Sequence, residues 1–321
     1  MNKTLLVYDL NNIFHKNYHT AKNHGDLSEV LDMTLAATIR DMKIYYDRFS
    51  PLMTMAAIDA RTNWRKDYTS GEDAVTHKVY KAHRNEKLTK KERDAKKALN
   101  ELIQEFAGFL KNSTKIITLW EDSLEADDMA SGVCRIFGDS EYEIKIVSSD
   151  KDYLQFYRYS NVQIVNPLAG GHKRNLQEWN NDADLYIFEK CIRGDSKDNV
   201  ISSYPRLRKT ALVEAFYDDY KRSNVLNHTF TETVFDKERD DYIEIEYSTE
   251  ALFNENMLLL DLNKQPDHIK ELIDSVVERE ITRKRTFNFV KFLQLCKRHE
   301  LNNLSARAQN FIPLFSNKSK S

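Results

Sequence analysis

Lys115-Ile116-Ile117-Thr118-Leu119-Trp120, followed closely by Leu124-Glu125-Ala126-Asp127-Asp128-Met129-Ala130, decides how the chain is read. The first run is apolar and reads as a buried strand from Ile116 to Trp120. The second opens a helix from Glu125 to Phe137, because Met129, Val133 and Ile136 fall on one face at helical spacing. Three of its first four positions are carboxylates. One acid in a first turn serves as a cap or dipole partner, worth a few tenths to about 1 kcal/mol. Three packed together repel one another unless cations or protons intervene. On this segment alone, capping and metal binding both stand.

Working outward, other apolar runs also end on acids. Leu5 to Tyr8 reads as a buried strand ending at Asp9, after which the chain turns through Asn11 and Asn12. Met53 to Ile58 ends at Asp59, and Glu143 to Val147 leads into Ser148-Ser149-Asp150-Lys151-Asp152. Val162 to Val165 is one more strand. Asp26 and Glu29 have the spacing of a capping box, opening a helix marked by Leu27, Leu31, Leu35, Met42, Tyr46 and Phe49 and ended by Pro51. Leu99, Ile103, Phe106 and Leu110 mark another helix. Strands alternating with helices imply an α/β fold with a parallel sheet, whose ligands gather at the carboxyl ends of the strands. Beyond residue 180 the pattern is mostly helical: Ala183 to Cys191, Thr210 to Tyr217, Ala251 to Leu262, Ile269 to Val277 and Phe287 to Leu295. Residues 224–249 are polar, with an alternating stretch from Tyr242 to Tyr247 that reads as an edge strand or a mobile insertion.

Composition removes several classes. A length of 321 residues suffices for one elaborated domain or two. Charged residues make up 31% and no apolar run approaches a bilayer span, so a soluble chain is expected, with no signal peptide before Asp9. The cysteines number three and none forms a CxxC pair, which argues against a disulfide framework or a cysteine–zinc site and for a reducing compartment. A net charge of −2 predicts no polyanion partner for the chain as a whole. Locally, however, Arg84 to Lys97 holds seven basic residues against three acids. Alone, such a run is as readily a solvated helix face.

The acids at the strand ends and helix start are Asp9, Asp59, Glu125, Asp127, Asp128, Asp150 and Asp152, joined by Asp195 and Asp198 in Gly194-Asp195-Ser196-Lys197-Asp198-Asn199. Oxygen ligands without cysteine or paired histidine select hard cations, magnesium before zinc, with manganese able to substitute. Two such ions roughly 4 Å apart activate water and hold the leaving oxygen of a phosphodiester. The Gly194 loop lacks the twelve-residue spacing of an EF-hand.

Asp9-Leu10-Asn11-Asn12, Trp64-Arg65, Tyr80-Lys81-Ala82-His83-Arg84, Glu125-Ala126-Asp127-Asp128-Met129-Ala130, Ser149-Asp150-Lys151-Asp152 and Gly194-Asp195-Ser196-Lys197-Asp198-Asn199-Val200 occur in the order seen in the 5′ nuclease (flap endonuclease) family. The chain resembles that family, and within it the ribonucleases H and 5′–3′ exonucleases of T-even-type bacteriophages, from Leu5 to about Leu304.

The resemblance implies a PIN-like parallel sheet with a helical arch and a helix-hairpin-helix-like module. Residues 1–180 would form the catalytic domain, with the arch at about 61–112; residues 181–304 would be a helical DNA-binding module, and 305–321 a flexible tail. It also implies magnesium as two ions, the first held by Asp9, Asp59, Glu125, Asp127 and Asp150, the second framed by Asp128, Asp152, Asp195 and Asp198. Asp127 and Asp150 would be catalytic together with Lys81 and Arg84, the basic pair that contacts the scissile phosphate. Nucleic acid would also meet Arg65, Tyr80, Lys87, Lys90, Lys91, Arg206, Arg208 and Lys209, with Tyr80 either a stacking platform or core. In many relatives the segment after Asp198 is glycine-rich and binds potassium. Residues 201–210 have no glycine here, which puts that ion in doubt and leaves the three cations to grip phosphates.

The implied substrates are branched DNA, RNA–DNA hybrid or duplex with a 5′ end, and the implied setting is a monomer in the bacterial host cytoplasm without membrane contact. Further implied partners are a sliding clamp and a single-strand-binding protein. Gln309, Ile312 and Phe315 match a clamp-binding pattern, although a segment that packs back on its own domain would look the same. The expected activity is a two-metal 5′–3′ exonuclease or flap endonuclease with ribonuclease H activity. Two competing readings are a junction-binding protein without catalysis, and a small-molecule phosphohydrolase using Asp9 as nucleophile.

Overall fold

The computed structural model describes residues 3–76, 78–86, 88–169, 172–173, 175–236 and 240–317. The chain opens with β1 (Thr4–Asp9), which is buried at every position, as an apolar run flanked by strands on both sides requires. It passes directly into α1 (Leu10–Ala21), then α2 (Leu27–Phe49) and β2 (Met53–Ala57). A short helix, α3 (Trp64–Thr69), precedes α4 (Lys90–Ser113), β3 (Ile117–Leu119), α5 (Ala126–Phe137), β4 (Glu143–Val147), β5 (Val162–Asn166) and β6 (His172–Lys173). There follow α6 (Ala183–Arg193), α7 (Lys209–Tyr217), α8 (Asp219–Leu226), β7 (Thr229–Asp236), β8 (Asp241–Ser248) and α9 (Thr249–Leu260). The chain ends with α10 (Asp267–Thr282), α11 (Phe289–Arg298), α12 (Asn302–Ser305) and α13 (Ile312–Ser316). Among the described residues, no helix is long and apolar enough to cross a membrane.

The sheet runs β3-β2-β1-β4-β5-β6, with the first five strands parallel and β6 antiparallel at the edge. β1 lies between β2 and β4, so the strand order reverses there, and at such a switch point in a parallel sheet ligands gather at the carboxyl ends of the strands. The expected parallel sheet is therefore present, and all five strands read from the sequence are in it.

Local chemistry explains several boundaries. Asp26 accepts from the Glu29 amide (3.0 Å) and Glu29 returns a bond to the Asp26 amide (3.2 Å), the capping box read from the sequence. An equivalent box of Thr89 and Glu92 starts α4, so the basic run from Lys90 to Lys97 forms its first turns. The expected turn at Asn11 and Asn12 is instead the first turn of α1, with Asp9 as its N-cap accepting from the Asn12 amide at 3.1 Å. The stretch at 224–249 is the end of α8 followed by a two-stranded hairpin, paired from Thr229 with Ser248 to Asp236 with Asp241.

The chain divides into two compact units that are not contiguous halves. Unit 1 comprises Met1–Thr62, Leu88–Asn175 and His268–Ser321; unit 2 comprises Asn63–Lys87 and Leu176–Asp267. Within unit 1, the tail expected to be flexible is folded up to residue 317. Phe311, Leu314 and Phe315 are core residues, with the Phe315 ring 4.9 Å from Phe292 and 5.5 Å from Phe109, and its carbonyl accepts from the Lys115 amide at 2.7 Å. Gln309 is exposed and Ile312 half-buried. The clamp-peptide expectation is thereby corrected: the aromatic anchor that would enter a partner's groove is already buried in its own domain. Phe315→Ala should cost about 3–5 kcal/mol of stability, read as a lower midpoint in urea denaturation; an unchanged midpoint would contradict this packing.

Candidate active site

In unit 1 the carboxylates are fixed by a network that links the strand ends. Asp9, at the end of β1, accepts from the Asn12 amide and from the Ser148 hydroxyl (2.8 Å). The same Ser148 oxygen accepts from the Asp150 amide (3.1 Å), so one side chain ties the ends of β1 and β4 together. Asn11 Oδ1 accepts from the Asp59 amide (3.0 Å), and Asn12 Oδ1 accepts from the Ser149 amide (2.9 Å) and hydroxyl (2.8 Å). Asp59 Oδ1 in turn accepts from the Ala126 amide (2.8 Å) at the start of α5. Asn11, Asn12 and Ser148 were not among the expected site residues. Their signal in the sequence was adjacency to acids at the ends of buried strands.

The electrostatics show that the acids share one region. Burial, then the charge of Asp59, pushes the Asp9 carboxyl up to about 7, with Asp150 adding to the shift and the bonds from Asn12 and Ser148 opposing it. Tyr153 is raised well above its ordinary value, first by burial and then by the charges of Asp9, Asp127, Asp150 and Asp59. Its hydroxyl is buried with no hydrogen-bond partner among the described residues. A buried polar group facing four carboxylates is what a site built for a hydrated cation presents. The donor set therefore fits a hard divalent ion.

Not every acid is offered equally. Asp128 is fully enclosed, and its Oδ2 accepts from the Glu125 amide at 2.9 Å, which makes it the third-position partner in the capping box of α5, whose N-cap is Glu125. Asp127 Oδ1 accepts from the Asp128 amide (2.8 Å), and Asp150 Oδ1 from the Asp152 amide (3.0 Å). The capping reading of the Glu125 segment therefore holds for Asp128, while the charge of Asp127 acts on Tyr153 with those of Asp9, Asp59 and Asp150.

In unit 2 the basic pair converges on a carboxylate. Asp198 is buried; it accepts from the Tyr80 hydroxyl (2.8 Å), pairs with the Arg84 guanidinium and lies 3.8 Å from Lys81 Nζ. Backbone bonds hold the two segments in register, from the Lys81 amide to the Asp198 carbonyl (2.8 Å) and from Asn199 Nδ2 to the Val79 carbonyl (3.0 Å). Burial raises the Asp198 carboxyl, but Lys81, Arg84 and the Tyr80 bond outweigh it and leave the group below its ordinary range. Asp195 pairs with Lys190 at 3.3 Å. Gly194 has a φ of +69°, and a Cβ there would lie 2.5 Å from Ile201 backbone atoms, so this loop needs its glycine.

Arg65, expected on the nucleic-acid surface, is core instead, and Tyr80, for which a stacking platform and core both stood, is core as well. Arg65 is 1% exposed, with its Nε bonded to the Leu259 carbonyl (2.9 Å) and its guanidinium over Trp64 (4.6 Å). Tyr80 is 3% exposed and orients Asp198 rather than a base. Their interleaving with basic residues suggested a binding surface, but packing used the same side chains inside unit 2. Arg206, Arg208 and Lys209 are exposed beside the start of α7. Lys90 and Lys91 are exposed and, with Lys22 and Tyr18, line a groove of about 650 Å³. Lys87 lies outside the described residues.

Residues 4–189, more than half of the chain, match the family described as 5′–3′ exonuclease, N-terminal resolvase-like domain. The chain belongs to this family. Among curated relatives, the ribonuclease H of Enterobacteria phage T4 is 28% identical over 197 residues, covering 54% of this chain. The chain spans 58% of that relative's length. A bacteriophage T5 protein co-crystallised with metal ions has the same fold, with a TM-score of 0.61 at 16% identity, covering 86% of this chain and 99% of that one. The bacteriophage T5 flap endonuclease in a pseudo-enzyme–product complex with DNA and metal ions gives 0.61 at 15% identity, covering 87% and 100%. The matched residues include Asp9, Asp59, Glu125, Asp127, Asp150 and Asp152.

Proposed function

We propose that the chain is a structure-selective, divalent-metal-dependent 5′–3′ nuclease that hydrolyses phosphodiesters in 5′ flaps of DNA and in RNA–DNA hybrids, removing flaps or primers during replication. The observation that carries this reading is the hydrogen-bond network that ties the acid-bearing ends of β1, β2 and β4 and the start of α5 together, through Asp9–Ser148–Asp150, Asn11–Asp59 and Asp59–Ala126. Further support comes from the family match, and from the names of the relatives, one a ribonuclease H and one a flap endonuclease with DNA and metal ions.

Asp9, Asp59, Glu125, Asp127 and Asp150 would hold a first magnesium ion, and the Asp195–Asp198 loop is assigned to a second. Bound ions of this kind supply an acidified water and neutralise charge on the phosphodiester. The chain's own residues do the rest. Ser148, Asn11 and Asn12 hold the carboxylates in fixed directions, and Lys81 and Arg84 offset charge that develops on the phosphoryl oxygens. Arg206, Arg208 and Lys209 would meet duplex phosphates. The proposed setting is a monomer in the cytoplasm of a phage-infected cell. A clamp docking through the tail does not belong to the proposal, because Phe311, Leu314 and Phe315 of the segment read as a docking peptide are core; a single-strand-binding protein is a proposed partner on the resemblance alone.

Cleavage of 5′-labelled flap, nicked and hybrid substrates tests the reading. Short 5′ products should appear with magnesium or manganese, vanish with chelator and return when metal is restored. Cleavage that persists in chelator, or hydrolysis of p-nitrophenyl phosphate without cleavage of nucleic acid, would reverse it.

A further inference from the structure

The chain leaves α10 through Arg279-Glu280-Ile281-Thr282-Arg283-Lys284-Arg285, a run of four cations and one acid. The packing of α10 fixes where this turn lies in unit 1. Arg135, late in α5, holds Asp274 through Nε (3.1 Å) and Nη2 (2.7 Å). Gly132, one turn earlier, lies against Ile273 and Val277 so closely that a Cβ would sit 2.6 Å from Ile273 Cγ2. These contacts lay α10 along α5. A direct contact places its end: Arg279 Nη2 lies 2.7 Å from Oε2 of Glu121, in the turn between β3 and α5 that leads into Glu125 and Asp127.

The turn is built rather than loose. Glu280 has a side chain 2% exposed and lies beneath three guanidiniums, Arg279 (3.3 Å), Arg283 (3.5 Å) and Arg285 (2.5 Å). Arg285 is itself enclosed; it donates to the Glu280 carbonyl and to the Arg283 carbonyl (3.0 Å), which fixes the backbone between them. Outside this clamp, the side chains of Arg279 and Arg283 are 52% and 42% exposed. Lys284 is exposed and makes no ion pair among the described residues. Three guanidiniums share two acids, Glu280 and Glu121, and Lys284 adds a fourth cation, so positive charge is in surplus on the outer side. An ion-pair network needed only to hold α10 in place would not require Arg283 and Lys284 on the solvent side. Guanidiniums held rigidly beside a carboxylate centre match the planar, forked geometry that binds phosphate oxygens.

We propose that the Arg279–Arg285 turn is a phosphate-binding surface that takes backbone phosphates next to the scissile one in the nucleic-acid strand at the carboxylate centre of unit 1. This rests on the nuclease reading above. Arg283 and Lys284 are the side chains positioned to contact the strand, while Glu280 and Arg285 are positioning residues that hold the turn.

The test is the double variant Arg283→Ala/Lys284→Ala in the full chain. Binding of a fluorescent 5′-flap duplex is measured in calcium between 50 and 200 mM salt, values on the order of those over which phosphate contacts are lost. Cleavage at saturating substrate and thermal melting are measured alongside. The expected result is a Kd raised about 5- to 20-fold, a salt slope shallower by about one to two, an unchanged kcat, and a Tm lowered by no more than a few degrees because Arg279 and Arg285 still hold Glu280. The charge-preserving variant Arg283→Lys/Lys284→Arg should bind like wild type. A double variant that keeps the wild-type Kd and salt slope overturns the proposal while leaving the nuclease reading intact. A wild-type chain that binds no nucleic acid overturns both.

Discussion

Asp9→Asn, assayed at saturating magnesium on a 5′-labelled flap or hybrid, should cleave at least about 100-fold more slowly than wild type, while the metal-free variant melts above the metal-free wild type. The two effects share one cause. Asp9 is enclosed beside Asp59 and Asp150, and its carboxyl is pushed up to about 7, chiefly by burial and then by Asp59. A raised carboxyl means that the folded state binds this proton more tightly than the unfolded chain does. Stability without metal therefore falls as pH rises through the window from about 4 to 7. A shift of that size corresponds to about 4 kcal/mol as an upper limit. Asparagine removes the charge and keeps one of the two acceptor positions, its Oδ1 taking one of the bonds from Asn12 and Ser148 while its Nδ2 can only donate, so about 1–2 kcal/mol should be recovered, or a few degrees in Tm. The gain should be present at pH 8 and absent near pH 4. Wild-type activity would remove Asp9 from the metal centre, and a lower Tm at pH 8 would refute the charge argument.

Arg84→Met and Lys81→Met should each lower kcat about 10²- to 10³-fold with a smaller effect on KM, because charge on the phosphoryl oxygens grows only towards the transition state. Arg84→Met should carry a second, separable signature. Asp198 is buried and held below its ordinary range despite burial, with Lys81, Arg84 and Tyr80 as the opposing causes. A depressed carboxyl stabilises the fold above its unfolded value, and that contribution is lost as pH falls through the folded value. Removing Arg84 should therefore cost about 1–3 kcal/mol at pH 7 and little at low pH. Asp198→Asn in the Arg84→Met background should restore part of the stability and none of the activity. Urea denaturation at the two pH values, with single-turnover cleavage, separates the two roles. If the double variant is less stable than Arg84→Met at pH 7, the pairing is not what makes Arg84 matter for folding.

The enclosed side chains show why composition-level reading of residues 61–112 went astray. Trp64-Arg65 and Tyr80-Lys81 have the aromatic and basic interleaving of a binding surface, but that pattern does not say which side of a helix faces inward. In unit 2, Arg65 found the Leu259 carbonyl, a partner far away in the chain, and the aromatic faces of Trp64 and Tyr80. The tail failed in the same way. Phe311 and Phe315 match a docking peptide and a core plug equally well, and only the presence of Phe109 and Phe292 beside them decides between these.

What the sequence determined by itself is what depends on short-range periodicity. Five buried strands, most of the helices that follow them, the Asp26–Glu29 capping box and the placing of acids after strand ends all follow from neighbours a few positions apart, where sterics and hydrogen bonding are local. Tertiary structure alone decided which acids meet. Asp9, Asp59 and Asp150 follow parallel strands whose carboxyl ends lie on one edge, where Ser148, Asn11 and Asn12 link the strand ends and Asp59 meets the start of α5 at the Ala126 amide. It also decided that Asp128 completes the capping box of α5 and that Asp198 is gripped by Lys81, Arg84 and Tyr80. A carboxylate's role depends on which charges and donors approach within a few ångströms, and those partners lie up to more than a hundred residues away in the chain.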